Sequence, residues 1–332
     1  MIRKLPHLVL VGILLLPLMN CGYQHDEKEK YYLVAANIKL PYWQAALAGL
    51  NKATVQMKVK TELAGPDTYD PRQQQQELQR IIKLKPSGIL VSPTDPKLMQ
   101  ADIDDAISQG IPVITIDSDA PGSKRLLFIG TNNYEAGVMG GRIAAKQLGG
   151  KGNVMVFTMP GQANLDERLH GYKDVFSEYS GIKIVETINI KGDSRISFDT
   201  TQDFFEKKKT PVDGFICLEA AGGKGVAEVL DRRQIKGKTV VAFDTDDETL
   251  EWIQKGLIAA TIAQKPFTMA YYGVKVLDDI YHHKPQPMGA NWANEPLSLL
   301  PTFIDTGATV IDQKNLAMVQ KPRDFITVSP QK

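Results

Sequence analysis

Polar and charged side chains follow the short apolar runs of this sequence in both of its halves. The set comprises Asn37, Lys39, Ser92, Thr94, Asp117–Asp119, Thr131–Asn133, Glu219, Asp244 and Gln264. Carboxylates, amides and hydroxyls of this kind make directional hydrogen bonds, and those to a charged side chain are the stronger ones. Any single member could instead serve as a turn or capping residue, because such residues are common at strand ends. The recurrence of the pattern in both halves favours a binding site for a small polar ligand.

The elements that would position these residues alternate between apolar runs and helical patterns. The strand candidates are Tyr31–Asn37, Val59–Leu63, Gly88–Ser92, Val113–Ile116, Leu127–Ile129, Asn153–Phe157, Ile182–Ile188, Gly214–Leu218, Thr239–Phe243, Ile258–Ala263 and Thr302–Ile311. Helical patterns stand between them, and a longer one follows Pro266. Such alternation predicts right-handed parallel units. Because it begins twice, the sequence predicts an α/β protein with two doubly wound parallel-sheet lobes, which bind ligands beyond the carboxyl ends of their strands.

Two helix starts can be predicted from local chemistry. Asp70 and Asp95 each precede a proline, so the aspartate can cap the helix while the proline takes its first position. Gly110, which precedes Ile111 and Pro112, is the predicted end of the helix that Asp95 begins.

The N-terminus is typical of an export signal. Arg3 and Lys4 precede an almost wholly apolar run, 8–18, that is too short to span a bilayer comfortably. The run ends in Leu18-Met19-Asn20-Cys21, a lipobox-like pattern in which Asn20 departs from the small residue that usually precedes the cysteine. We expect a signal peptide at 1–20, lipidation of Cys21 and a tether at 21–30; a plain secretory signal or an uncleaved anchor is the alternative. The protein is therefore expected in the periplasm or on the outer face of the cell membrane.

Composition narrows the classes of partner. The 332 residues include 39 basic and 38 acidic ones, so the formal charge of +1 provides no general attraction to nucleic acid. The hydrophobic fraction of 43% suffices for the cores of two domains. Cys217, the second cysteine, lies in an apolar run and is predicted to be a buried, unreactive thiol.

Several segments together resemble one family. They are 40–43 (LPYW), 91–95 (VSPTD), 111–117 (IPVITID), 130–137 (GTNNYEAG), Asn164 with Arg168, Gly171 and Tyr172, 243–244 (FD), and 259–266 (AATIAQKP). In this order and spacing the sequence from Tyr31 to about Asn315 resembles the periplasmic sugar-binding proteins of the ribose/galactose type. The resemblance implies the type I periplasmic binding protein fold and delivery of a sugar to an ABC importer.

The resemblance also implies which residues contact the ligand. Carried over position by position, they are Tyr42, Trp43, Ser92, Asp117, Thr131, Asn164, Arg168, Glu219, Asp244 and Gln264. Charged planar side chains bind sugar hydroxyls, and aromatic rings pack against the C–H faces of the sugar. Trp43 also begins a helical apolar stripe, so it could equally be a core residue.

Four positions depart from the ribose-type pattern. Leu40 and Glu219 stand where those members have asparagine, and Ser118 and Asp166 stand where they have arginine. Ribose is therefore not the expected ligand. We expect the carboxylates to engage Arg168 and to exclude anions, so a neutral monosaccharide or polyol is predicted, with an amino sugar second. Whether Asp166 and Lys39 touch the ligand is left open.

The resemblance predicts three crossings between lobes, near 131–133, 263–266 and 288–295. The N-terminal lobe would comprise 31–131 and 265–290, and the C-terminal lobe 132–264 and 291–332. Ligand binding would close the lobes about the hinge that these three crossings form. Periplasmic binding proteins are a standard example of domain closure around a ligand.

Other functions fit the sequence less well. It lacks a phosphate-binding glycine loop and a nucleophile-elbow serine, and 222–225 (GGKG) is too short for the former. No cysteine or second histidine stands at ligand spacing from His170, so no metal and no cofactor are expected. Asp117 and Asp244 could imitate a glycosidase pair, but carboxylates also bind sugars without cleaving them.

A transcriptional repressor of the same fold would need an N-terminal helix-turn-helix, where this chain has the apolar export segment. We therefore predict a monomeric binding protein that is not an enzyme and that works with an ABC permease. A sugar sensor that acts on a membrane receptor or kinase is the alternative.

Overall fold

The computed structural model describes residues 25, 28–207, 211–292 and 295–320. The predicted signal peptide, the lipidation site Cys21 and most of the tether lie outside these residues, as does the end of the C-terminal lobe from 321 onward. Within the described part of the chain, no helix has the length and apolar character needed to cross a membrane.

The elements follow one another as the sequence pattern indicates. The first run is β1 (Lys30–Val34), α1 (Pro41–Met57), β2 (Lys60–Ala64), α2 (Pro71–Lys83), β3 (Gly88–Val91), α3 (Pro96–Ser108), β4 (Val113–Ile116) and β5 (Phe128–Gly130). The second is α4 (Asn133–Gln147), β6 (Lys151–Thr158), α5 (Ala163–Ser177), β7 (Gly181–Asn189), α6 (Ser194–Glu206), β8 (Gly214–Cys217), α7 (Gly222–Arg232), β9 (Thr239–Phe243), α8 (Asp247–Gln254) and β10 (Ala260–Ala263). The last is α9 (Pro266–His282), β11 (Phe303–Asp305), β12 (Thr309–Ile311) and α10 (Ala317–Gln320).

Two six-stranded sheets organise these elements. The first sheet has the order β11-β5-β4-β3-β1-β2, and the second has the order β12-β10-β9-β8-β6-β7. All strand pairs are parallel except β10 with β12. We call the part built on the first sheet the first lobe and the part built on the second sheet the second lobe. This architecture confirms the prediction of two doubly wound parallel-sheet lobes.

Each lobe has its own hydrophobic core. The central strands are buried along their whole length, which explains why they read as continuous apolar runs rather than alternating ones. The helices cover both faces of each sheet, and α9 returns to pack on the first lobe against α1. Cys217 is fully buried in the second core, and burial raises the pKa of its thiol, as expected for an unreactive cysteine.

The predicted helix starts have the expected chemistry. The Asp70 side chain accepts hydrogen bonds from the backbone N–H groups of Arg72 and Gln73, and Asp95 accepts one from that of Leu98. Gly110 follows α3 with a φ of +79°, a conformation that costs glycine little. Local sequence therefore sets where these helices begin and where α3 ends.

The end of the chain differs from the prediction of one strand over Thr302–Ile311. The structure has two short strands there: β11 pairs with β5 in the first sheet, and β12 pairs with β10 in the second. The third crossing therefore lies between Asp305 and Thr309, not near 288–295, and the segment that leads to β11 belongs with the first lobe. Gly307, with a φ of +77°, lies within this crossing.

Glycines allow α4 and α5 to pack closely. A Cβ atom on Gly137 of α4 would lie 2.1 Å from the carbonyl oxygen of Arg168, and one on Gly171 of α5 would lie 2.3 Å from that of Tyr134. A side chain at either position would push the helices apart. The position of Arg168 in the second lobe therefore depends on glycine at these contacts.

We predict that Gly137→Ala lowers the free energy of unfolding by about 1–3 kcal/mol, the usual range for overpacking a tight contact. Gly289→Ala is the matched control, because a Cβ atom there would meet nothing within 4 Å. Urea denaturation of both variants measures the difference. Equal stability of the two variants would contradict this account of the helix contact.

Candidate functional site

A cavity lies between the two lobes, at the carboxyl ends of the strands. The first lobe lines it with Ala36, Asn37, Leu40, Tyr42, Trp43, Tyr69 and Asp117. The second lobe and the adjoining crossing line it with Met159, Gln162, Asn164, Leu165, Arg168, Gly192, Glu219, Ala220, Asp244 and Gln264. Eight of the ten residues carried over from the family resemblance are among them.

Asp117 is the acidic centre of the first lobe's side. It directly follows β4, and its carboxylate accepts hydrogen bonds from the hydroxyl of Tyr42 at 2.6 Å and that of Ser92 at 3.1 Å. Burial raises its pKa, whereas the charge of Arg168 and the two hydroxyl donors act in the opposite direction. The carboxylate is therefore held in a fixed orientation and keeps lone pairs for a ligand.

Asp244 occupies the equivalent place in the second lobe. It directly follows β9, and its Oδ1 accepts a hydrogen bond from Nε2 of Gln264 at 2.9 Å. Burial raises the pKa of Asp244 to about 7; Arg168 and Gln264 lower it, and the neighbouring carboxylates of Asp117 and Glu219 raise it further. This carboxyl group is therefore poised to exchange a proton near neutral pH.

Both aspartates have a left-handed backbone. Their φ angles are +66° for Asp117 and +70° for Asp244. Aspartate and asparagine tolerate this region better than most residues, but it is sparsely populated and is often found at functional sites. The two lobes therefore use the same local backbone geometry to present a carboxylate to the cavity.

Arg168 is the positive group of the cavity and is almost completely buried. Nε donates to Oδ1 of Asn133 at 3.0 Å, one Nη to the carbonyl oxygen of Leu218 at 2.8 Å, and the other to Oε1 of Gln264 at 2.7 Å. The guanidinium carbon lies 4.3 Å from the ring centroid of Phe243. The expectation that carboxylates engage Arg168 directly is thus wrong: neutral oxygens and an aromatic ring hold it, and the carboxylates act on it only through the electrostatic field.

This arrangement leaves donor capacity for a ligand. A guanidinium has five N–H donors, and three of those of Arg168 are used by acceptors in the described part of the chain. The remaining two can meet acceptor oxygens in the cavity. Together with the carboxylates of Asp117 and Asp244, they provide both the donors and the acceptors that hydroxyl groups require.

Glu219 lines the cavity but has a capping role as well. Its two carboxylate oxygens accept hydrogen bonds from the backbone N–H groups of Ala221 and Gly222, at the start of α7. Burial raises its pKa, and these two bonds lower it. Asn164 lines the cavity from the first turn of α5, where its Oδ1 accepts from the N–H of Leu165. Glu219 therefore serves in part as a helix cap, the alternative role considered for strand-end residues.

Tyr42 and Trp43 are adjacent aromatic residues in the first turn of α1. The rings of Tyr42 and Trp43 meet edge to face with centroids 5.2 Å apart. Trp43 is buried in the core of the first lobe and also lines the cavity, so both of the roles weighed for it apply.

Two of the residues carried over from the resemblance support the cavity without lining it. Ser92 donates to Asp117, and Thr131 donates from Oγ1 to Oε1 of Gln264 at 2.9 Å. Thr131 lines a separate space behind the crossing. Each residue therefore bonds to a side chain that lines the cavity, and its own contact with the ligand stays a prediction.

Asp166 and Lys39 also lie outside the cavity lining. Asp166 accepts a hydrogen bond from the backbone N–H of Gly161, and Nζ of Lys39 is 3.7 Å from the exposed carboxylate of Asp67. The departure at Asp166 therefore changes the charge around the cavity less than its position in the sequence suggests.

Tyr69, Met159, Gln162 and Gly192 are among the cavity residues that were not found from the sequence. Tyr69 belongs to the first lobe but packs against the core of the second. A Cβ atom on Gly192 would lie 3.2 Å from that of Tyr69 and 3.6 Å from the sulfur of Met159, so the lobes touch at this point. All four follow β2, β6 or β7, and the same strand-end rule applied to these strands would have indicated them.

Comparisons with known proteins agree with this geometry. A family model described as "Periplasmic binding protein domain" matches residues 31–285. An arabinose binding protein, AraP from Geobacillus stearothermophilus, is 34% identical and aligns over 88% of this chain and 99% of its own with a TM-score of 0.71. The ribose import binding protein RbsB of Bacillus subtilis is 23% identical over 76% of this chain and 81% of its own length. The XylFII–LytSN complex contains a chain that is 28% identical and aligns over 86% of this chain and 98% of its own, with a TM-score of 0.76.

We predict that Asp244→Asn makes the ligand-free protein more stable than wild type at pH 8 and that this advantage shrinks toward pH 4. The raised pKa of Asp244 means that its favourable contribution is complete below its ordinary pKa near 4 and is lost as the pH rises through about 7. Asparagine has no charge to bury. The difference between pH 4 and 8 should be on the order of a few kcal/mol.

Urea denaturation of both proteins across this pH range measures the effect. Asp199→Asn is the control, because it removes an exposed carboxylate from α6 of the same lobe. Parallel stability curves for wild type and Asp244→Asn would contradict the burial of an ionised Asp244.

Proposed function

Because this chain belongs to the periplasmic binding protein family, the sugar-binding proteins of ABC importers, we propose that it captures a small neutral sugar or polyol between its lobes and delivers it to an ABC permease. Members of this family are transport proteins and not enzymes, and this chain is accordingly a binding protein. We further propose that it works as a monomer that contributes one ligand site.

The observation that carries the proposal is the pair formed by Asp117 and Asp244. They come from opposite lobes, share the left-handed backbone geometry and line the same cavity. A ligand that bonds to both carboxylates makes its full set of contacts only when the lobes are together. Such differential contact is what allows a ligand to shift an equilibrium toward the closed state.

The proposed contacts follow from the chemistry of each group. Asp117 and Asp244 accept hydrogen bonds from sugar hydroxyls, and the two free donors of Arg168 bond to oxygens of the ligand. Tyr42 and Trp43 provide apolar surface for the C–H faces of the ring. Gln264 is committed to protein partners through both ends of its amide and orients the polar groups around it.

The charge of the cavity supports a neutral ligand. Three carboxylates line it, those of Asp117, Glu219 and Asp244, against the one guanidinium of Arg168. Lys224 borders an adjoining space, where its Nζ lies within 3.7 Å of Asp246 and 3.5 Å of Glu248. An anionic ligand would lose its hydration and meet like charge, which is costly in a closed cavity. An amino sugar is the second choice.

The relatives support a monosaccharide of this kind. AraP is an arabinose binding protein, and RbsB is a ribose import binding protein. A pentose is therefore the first class to test. Because Leu40, Ser118 and Glu219 depart from the ribose-type pattern, ribose itself is not the sugar that we propose.

A sensory role is the second candidate. The XylFII–LytSN complex contains a protein of this fold together with LytSN. In that case, ligand closure would be recognised by a membrane receptor or kinase. Transport is favoured because RbsB is an import protein.

Export and anchoring complete the proposal. The apolar run at 8–18 and the Leu18-Met19-Asn20-Cys21 pattern support signal cleavage and lipidation at Cys21. The polar residues after Cys21 would then form a tether between the membrane and the first lobe. The protein would work in the periplasm or on the outer face of the cell membrane.

We predict that Asp117→Ala and Asp244→Ala each weaken sugar binding by about 1.5–3 kcal/mol, roughly 10- to 150-fold, because each removes a charge-assisted hydrogen bond. Isothermal titration with the pentose or hexose that stabilises the wild-type protein most in a thermal-shift panel measures the loss. The panel includes glucosamine, glucuronate and ribose 5-phosphate. Asp199→Ala is the exposed-carboxylate control and should bind as wild type does.

Wild-type affinity in either cavity variant would contradict a site shared by the lobes. Stabilisation by glucuronate or ribose 5-phosphate, together with no stabilisation by neutral sugars, would contradict the proposed preference for an uncharged ligand.

We predict that Cys21→Ser releases the protein from the membrane or leaves its signal uncleaved, since serine cannot accept the lipid through a thioether. Membrane fractionation and the mass of the mature protein measure this. Cys217→Ser is the matched control, because that thiol is buried in the second lobe. Unchanged cleavage and fractionation of Cys21→Ser would contradict lipid anchoring.

A further inference from the structure

A second cluster of chemically active side chains lies outside the sugar cavity. His25, Glu29, Asp278 and His282 each bring one possible metal-ligand atom within 4.8 Å of the others. His25 and Glu29 belong to the segment before β1, and Asp278 and His282 lie one turn apart on α9. The sequence did not indicate this group because 253 positions separate His25 from Asp278.

Three distances within the cluster are close to those between the ligand atoms of a metal centre. Nε2 of His25 is 3.1 Å from a carboxylate oxygen of Asp278, and Nε2 of His282 is 3.2 Å from Glu29 and 3.7 Å from Asp278. Tetrahedral Zn²⁺ with bonds of about 2.0–2.1 Å separates its ligand atoms by about 3.3–3.4 Å. Small side-chain shifts would therefore suffice to place an ion among the four atoms.

The surroundings provide further support. Oδ1 of Asp278 accepts a hydrogen bond from the hydroxyl of Tyr31 at 2.9 Å, the kind of contact that orients a ligating carboxylate. The Glu29 side chain is only 6% exposed and that of Asp278 is 15% exposed. Two carboxylates partly withdrawn from water beside each other favour a cation between them. Two imidazoles and two carboxylates are a ligand set that suits Zn²⁺.

We propose that His25, Glu29, Asp278 and His282 bind one divalent transition-metal ion, with Zn²⁺ as the best fit. The ion fastens the end of the tether to α9 of the first lobe. His282 lies at the opposite end of α9 from the crossing at Pro266, about 24 Å away along the helix. Metal binding therefore stabilises the first lobe and fixes where the tether leaves it, without changing the sugar cavity.

The short contacts in the cluster have an alternative explanation. The imidazoles and carboxylates could form simple ion pairs with no metal ion between them. The two explanations differ in one measurable respect, because only a metal site gains stability from added Zn²⁺ by mass action.

The test is calorimetry and thermal denaturation of the purified full-length protein after chelator treatment, with Zn²⁺ or Mg²⁺ added and no sugar present. We expect one Zn²⁺ per chain, a higher melting temperature with Zn²⁺, and no such effect of Mg²⁺. Co²⁺ should give the visible absorption of a tetrahedral site. His25→Ala and His282→Ala each remove a ligand and should weaken Zn²⁺ binding by more than the about 10- to 100-fold that is typical of losing an outer-shell partner.

His283→Ala is the matched control. His283 is also a histidine of α9 with a carboxylate four residues before it, Asp279 at 3.2 Å, but this pair is exposed and lies outside the cluster. The control should bind Zn²⁺ as wild type does. His25 precedes β1, so its substitution leaves the elements of the lobe intact and keeps the test independent of folding.

Absence of Zn²⁺ binding to wild type, or an equal loss in His283→Ala and His282→Ala, would overturn the proposal. Sugar affinity measured with and without Zn²⁺ should be the same. A large effect of Zn²⁺ on sugar binding would overturn the structural role and leave the proposed sugar function to its own test.

Discussion

The cavity between the lobes depends on one constraint, which is the burial of ionisable groups around the guanidinium of Arg168. Charges withdrawn from water are costly unless nearby groups compensate them. Here Asp117 and Asp244 lie in its field, and neutral oxygens and the ring of Phe243 hold the guanidinium itself. Compensation is incomplete, since the pKa of Asp244 is still raised to about 7. A polar ligand that bonds to these groups completes what the protein alone leaves unsatisfied.

Gln264 connects this chemistry to the hinge. It lies between β10 and α9, where the chain returns to the first lobe. Its Oε1 accepts from Thr131, which belongs to another crossing, and from Arg168, while its Nε2 donates to Asp244. One side chain thus touches two crossings and two charged groups of the cavity. Through these bonds, a change in hinge geometry would alter the position of the groups that line the cavity. A ligand in the cavity would in turn affect the geometry of the hinge.

The sequence was informative wherever local rules decide structure. Buried parallel strands read as apolar runs, Asp70 and Asp95 cap helices as their positions indicated, and Asp117 and Asp244 were found because they follow strands. It was less informative where partners come from distant parts of the chain. No local signal in the sequence indicates that β11 and β12 join different sheets. The same holds for the neutral partners of Arg168. Tyr69 follows β2, so the strand-end rule could have indicated it, but its packing against the second lobe could not be predicted. His25 and His282 were missed because the fold alone brings them together.

The central claim is that one ligand joins both lobes through their strand-end carboxylates. A crystal structure with a bound neutral monosaccharide tests it most directly. The account predicts ligand hydroxyls within hydrogen-bond distance of both Asp117 and Asp244, with ligand oxygens near the free donors of Arg168. A ligand that contacts only one lobe, or that lies outside this cavity, would contradict it.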